Sequence, residues 1–146
     1  MAWGMAVHIC KLCVGADRIE DLQAWQDQLV AFRLAEGGAP EPWHDTRMAP
    51  KRAEEVLAGG SLYWVIRKRI LVRQRIIGLE AHHDETGRSM CRIRLDPRLV
   101  RTQPRARRPF QGWRYLEPEA APPDLDGSGP ALSADLEAAL KEAMAW

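Results

Sequence analysis

Long apolar runs are missing from this chain, and none approaches the ~20 residues that a membrane-crossing helix needs, so no membrane span or membrane partner is expected. The first fifteen residues, broken by His8 and Lys11, lack the basic, apolar, small-residue order of an export leader, and a cytoplasmic protein is expected. Cysteine is scarce. Cys10, Cys13 and Cys91 are an odd number in a chain without that leader, which argues against a disulfide framework and for buried, reduced thiols. Cys10 and Cys13 have the spacing of a zinc knuckle, but residues three apart on a strand face opposite sides and there is no second pair, so no metal is expected. A phosphate-cradling glycine loop is also absent, because Gly59-Gly60 follows a helix instead of preceding one. Nucleophile elbows, paired carboxylates and internal repeats are lacking too, which leaves no expected catalytic residue and no expected cofactor. His82-His83-Asp84-Glu85 falls where a polar turn is expected.

What is present is enough apolar material for one core: 146 residues, 46% hydrophobic, with six tryptophans. The net charge of +1 conceals a segregation. Residues 61–116 hold 14 Lys and Arg against four Asp and Glu, while residues 1–60 and 117–146 carry net charges of −3 and −6. The basic stretch is mainly arginine, whose planar fork suits phosphate.

Apolar residues over 5–14 predict a buried first strand, closed by Gly15 and Ala16. Asp17 with Glu20 three residues on predicts a capped helix over 18–36, with Ile19, Leu22, Trp25, Leu29 and Phe32 forming one apolar stripe. A short strand over 43–48 follows, then a short helix over 51–58, opened by Pro50 and stopped at Gly59-Gly60. Strands are expected over 61–66, 70–80 and 88–95, with turn chemistry at 84–87; in the last strand Cys91, Ile93 and Leu95 alternate with Arg92 and Arg94. Further strands are expected over 99–102 and 110–116, separated by a proline-punctuated run. The late connections are too short for helical crossovers. The expected fold class is therefore α+β: a small curved antiparallel sheet or small β-barrel with flanking helices. Residues 1–118 are expected to form the domain and 119–131 a Pro/Gly linker. Residues 132–146 are expected to form an acidic helix capped by Ser133, with Leu136, Leu140 and Met144 on one stripe.

Several longer motifs occur in a telling order. They are His8-Ile9-Cys10-Lys11-Leu12-Cys13-Val14-Gly15, Thr46-Arg47-Met48 with Pro50-Lys51-Arg52-Ala53, Gly59-Gly60-Ser61-Leu62-Tyr63-Trp64-Val65-Ile66, Leu95-Asp96-Pro97 and Phe110-Gln111-Gly112-Trp113-Arg114-Tyr115-Leu116. Over residues 5–118 the chain resembles a family of short alphaproteobacterial proteins of unknown function, which implies a bacterial protein and no particular activity. The order of short helix, Gly-Gly break, strand bearing Tyr63 and Trp64, and basic strand resembles PUA-like domains of the ASCH and EVE types. That resemblance implies a small β-barrel and a superfamily that mostly binds RNA or modified bases.

The expected function is recognition of RNA or a modified nucleic acid without catalysis. Lys51, Arg52, Arg73, Arg75, Arg92, Arg94, Arg107, Arg108 and Arg114 would meet phosphates, and Tyr63, Trp64, Trp113 and Tyr115 would stack on bases. Other readings stay open: a solvated face whose arginines pair with acidic residues, or a small hydrolase on a nucleoside-like ligand using Lys51, Thr46 or His44. A third is a protein-interaction module working through acidic Asp124, Asp126, Asp135, Glu137 and Glu142.

Overall fold

The computed structural model describes residues 6–125, so the expected acidic helix over 132–146 and the second half of the expected linker lie outside the described residues. In chain order the elements are β1 (His8–Leu12), α1 (Ile19–Ala35), β2 (Trp43–Thr46), α2 (Ala53–Leu57), β3 (Ser61–Ile66), β4 (Arg69–His83), β5 (Ser89–Leu95), β6 (Val100–Ala106) and β7 (Trp113–Leu116), closed by a 3-10 turn at Pro118–Ala120. The fold class is α+β. Among the described residues no helix is long and apolar enough to cross a membrane.

The sheet is mixed, which corrects the expected antiparallel arrangement. Because α1, β2 and α2 carry the chain back to the starting edge, β1 and β3 run parallel, with Ile9 beside Leu62 and Leu12 beside Val65. The other pairs are antiparallel. The order is β2-β5-β4-β3-β1-β7 with β6 on β4, and the sheet does not close, so the barrel alternative does not form.

β4 is the spine. β3 lies along the first half of one edge, from Ser61 opposite Arg75 to Ile66 opposite Arg69. β5 and β6 line the other edge end to end, with Leu95 opposite Ile76 and Val100 opposite Arg73. β6 runs on through Pro104, beyond the break expected at residue 102. The register slips between Ile70 and Val72, where the proline falls, and a slip of this kind accommodates a residue that cannot donate to the ladder.

Every residue of β3 is buried, because the sheet has a core on each side. The larger core gathers Ile9, Leu62, Trp64, Ile66, Ile76 and Leu95 under the helices, and the smaller one gathers Cys10, Tyr63, Val65, Ile70 and Leu116. Each fully buried aliphatic side chain contributes roughly 1.5–3 kcal/mol. Cys10 and Cys13 thus sit in different cores. Gly60 is fixed by space: its amide donates to the Val56 carbonyl at 2.8 Å, and a Cβ there would collide with the Val7 and Val56 carbonyl oxygens.

α1 departs from its apolar stripe. Its buried residues are Leu22 and Gln26, while Trp25 and Phe32 remain 41% and 58% exposed. Its first turn is capped by Asp21, whose Oδ2 accepts from the amides of Asp17 and Arg18 at 2.9 and 3.1 Å, in place of the expected Asp17 and Glu20. Pro50 lies ahead of α2, outside its first turn.

Gln26 is buried because it meets Gln74 on β4 amide to amide. Each side chain donates to the other at 2.6 Å. Gln74 Oε1 also accepts from the Trp64 indole at 2.9 Å, and Gln74 Nε2 also donates to the Asp96 carbonyl at 2.9 Å. All four hydrogen-bonding positions of this fully buried amide are filled. Gln74→Leu strands the Trp64 N–H, the Gln26 amide and the Asp96 carbonyl. In urea titrations it is expected to cost at least about 3 kcal/mol, at 1–3 kcal/mol per orphaned group, and the Gln26→Leu/Gln74→Leu double variant is expected to cost less than the two single changes added together.

Candidate nucleic-acid interface

Folding undoes the charge segregation seen along the chain. Arg73 forms a bidentate pair with Asp124, 2.7 Å at both contacts, and Arg92 pairs with Asp45 at 2.9 and 3.1 Å. Arg94 crosses Gly78 to reach Glu41 at 2.9 Å and Glu80 at 3.4 Å. Arg52 is shared between Glu55 at 2.8 Å and Glu117 at 3.2 Å, and these two carboxylates raise its pKa. Most of these carboxylates come from the acidic flanks. Glu41, Asp45 and Glu55 precede the basic stretch, and Glu117 and Asp124 follow it, the latter held by an isolated bridge to Thr102 on β6.

Of the thirteen residues expected at the site, Arg52, Arg73, Arg92 and Arg94 are therefore already matched to carboxylates of the same domain. Tyr63 and Trp64 are 5% and 4% exposed within the two cores, which leaves no ring face for an external base. Their aromatic, β-branched run is the signature of a strand buried on both sides, so the aromatic signal at these positions reports packing. Lys51 and Arg75 are exposed. Arg107 and Arg114 flank Phe110, with guanidinium carbons 5.3 and 5.2 Å from the ring centre, and Arg108 lies on the surface beside them.

Trp113, Arg114 and Tyr115 do come together, on the wall of a groove of about 710 Å³ between β7 and the segment after β2. Trp113 and Tyr115 stand two apart on one face of β7, rings edge to face at 4.8 Å. Both are anchored: the Trp113 indole donates to the Met48 carbonyl at 2.8 Å, and the Tyr115 hydroxyl accepts from the Arg52 amide at 3.1 Å. Met48, Met90, Lys11 and Arg47 also line the groove.

Lys11 and Arg47 are the groove residues that sequence reasoning passed over. Lys11 stands in one cross-strand row with Trp64 and Trp113. It is partly buried and has no carboxylate within ion-pair distance among the described residues, and desolvation lowers its pKa. An ammonium inside an otherwise apolar strand was the available signal, since a buried strand carries such a charge only at a cost. The Asp45 carboxylate also lines the groove, but it is held by Arg92.

Behind Lys11 is a smaller cavity of about 160 Å³, walled by Trp25, Trp43, Trp64, Leu22, Cys13 and His44. Burial pushes the Cys13 thiol up to about 11. The His44 ring meets Trp64 edge to face at 5.3 Å, and its Nε2 is buried without a hydrogen-bond partner among the described residues. Among the described residues no serine, threonine or tyrosine lines this cavity, Lys51 lines neither space, and the Thr46 hydroxyl in the groove donates to the Met48 carbonyl at 3.1 Å. The polar trio of the hydrolase reading is therefore not assembled around a common point.

Burial, reinforced by the charge of Lys11, lowers the His44 pKa to about 4. Below pH 6.5 the unfolded chain takes up a proton on this ring that the folded chain refuses until about pH 4, so stability falls as pH drops through that window. The loss reaches roughly 3 kcal/mol at 1.36 kcal/mol per pH unit. His8, also lowered by burial, adds a loss of the same sign. Urea midpoints measured at pH 7 and pH 4 are expected to converge in His44→Leu relative to the wild type; an unchanged pH dependence contradicts the assignment.

No curated protein and no solved structure matches the chain. A family model described as a protein of unknown function, DUF1489, matches residues 9–146, which takes in the groove strands β1 and β7 and both helices. The chain belongs to the DUF1489 family.

Proposed function

We propose that this domain binds single-stranded RNA or a modified nucleic acid in the groove beside β7, with bases against Trp113 and Tyr115 and phosphates near Lys11 and Arg47. The observation that carries the reading is Lys11: a half-buried ammonium with no carboxylate partner among the described residues, in the same cross-strand row as an aromatic side chain on the groove wall. A desolvated cation in that position is stabilised by an incoming anion, and a base has a π-face for any aromatic ring whatever its sequence. The anchored rings lose little freedom on binding, because hydrogen bonds already fix both side chains. Recognition of this kind needs no reaction chemistry.

The test is fluorescence anisotropy with a labelled oligouridylate at about 50 and about 200 mM salt, since binding through phosphate contacts weakens steeply across that range. Trp113→Ala is expected to weaken binding about tenfold or more, within the ~1–3 kcal/mol that a stacked base supplies. Arg94→Gln, which removes an arginine already paired with Glu41 and Glu80, is expected to leave affinity within about twofold. Absence of binding at the lower salt overturns the proposal.

A further inference from the structure

The turn between β3 and β4 is made of two residues, Arg67 and Lys68, set between the paired Ile66 and Arg69. Both are left-handed, at φ 51° and 68°, and they are the positive-φ residues other than glycine among those described. A two-residue hairpin loop of this shape favours Asn-Gly, because only small or glycine side chains take that conformation without strain. Two long cations at the tip are thus held at the expense of the fold, and strain of this kind gathers where a surface is used.

What surrounds the tip points to the use. Arg69 and Ile70 pair with Ala106 and Arg105 on β6, and the Arg107 amide donates to the Lys68 carbonyl at 2.8 Å. This brings Arg67, Lys68, Arg69, Arg105, Arg107 and Arg108 to one end of the sheet. None of the six is in ion-pair contact with a carboxylate among the described residues, in contrast to Arg73, Arg92 and Arg94. Arg107 shares the Phe110 ring with Arg114, and the 110–114 segment leads from this end into the groove.

We infer that the Arg67-Lys68 tip and the adjoining 105–108 segment form a second contact site, one that takes the phosphate backbone of the strand whose bases lie in the groove. The inference rests on the proposed function. It extends the footprint from a few bases to a track that passes Phe110, and it assigns the strained turn to phosphate contact. Arginine-rich surface whose cations make no ion pair among the described residues, beside an aromatic groove, is complementary to a continuous polyanion.

The test replaces the tip with the residues its geometry favours, Arg67→Asn with Lys68→Gly. Removing the strain is expected to raise the Tm by several degrees. Removing two phosphate contacts is expected to weaken oligouridylate binding about tenfold at low salt and to flatten the plot of log affinity against log salt by about 1.4. Quenching of tryptophan fluorescence at saturation is expected to persist, because the groove is untouched. A raised Tm with unchanged affinity and salt slope, in a background where Trp113→Ala still weakens binding, overturns this inference and leaves the groove reading standing. A wild type that binds no oligouridylate overturns both, as does binding to phosphatidylglycerol vesicles in its place.

Discussion

The fold turns on a neutral amide pair sealed between a helix and a sheet. Gln26 is the polar residue that α1 buries, and Gln74 is the node that binds it to β4, to the indole of Trp64 and to the turn at Asp96. Two carboxamides satisfy each other without the desolvation cost of an ion pair, yet either one alone leaves buried donors and acceptors without partners. The pair therefore allows one rotational setting of α1 against the sheet. That setting fixes Trp64, the β3 neighbour of Lys11, and closes the small cavity behind the groove.

A second constraint acts through charge. The basic middle of the chain would repel itself as a bare sheet; instead the flanking segments return carboxylates to it, Glu41 and Asp45 from one side and Asp124 from the other. These pairs are partly exposed, so each adds modest stability, but together they decide which cations remain available. Lys11 and Arg47 in the groove and the cluster around the β3–β4 turn are among the cations that this matching leaves over among the described residues. The surface potential is thus set by where carboxylates are missing, and counting arginines along the sequence does not reveal it.

Much of the architecture is legible in local chemistry. The alternation of Cys91, Ile93 and Leu95 with Arg92 and Arg94, the stop at Gly59-Gly60 and the turn at residues 84–87 all reflect nearest-neighbour physics, and the structure has them where expected. The rest depends on partners distant in sequence. An apolar count cannot register Gln26, because the residue that makes its burial tolerable lies 48 positions away. Parallel pairing of β1 with β3 follows from a crossover that no local pattern encodes. Tyr63 and Trp64 carry the same composition whether they face solvent or a second core, and only the position of β3 between β1 and β4 decides it. At the site, Trp113, Arg114 and Tyr115 were legible as a basic, aromatic cluster; Lys11 was hidden in a run that otherwise reads as buried strand.

The central claim is that the groove beside β7, and not the arginine rows of β4 and β5, meets the nucleic acid. Ultraviolet cross-linking of the wild-type chain to an oligouridylate, with the attachment sites mapped by mass spectrometry, separates the two. The account predicts cross-links at Trp113 or Tyr115. Cross-links concentrated on Trp43 or His82, which lie beside the paired Arg92, would contradict it.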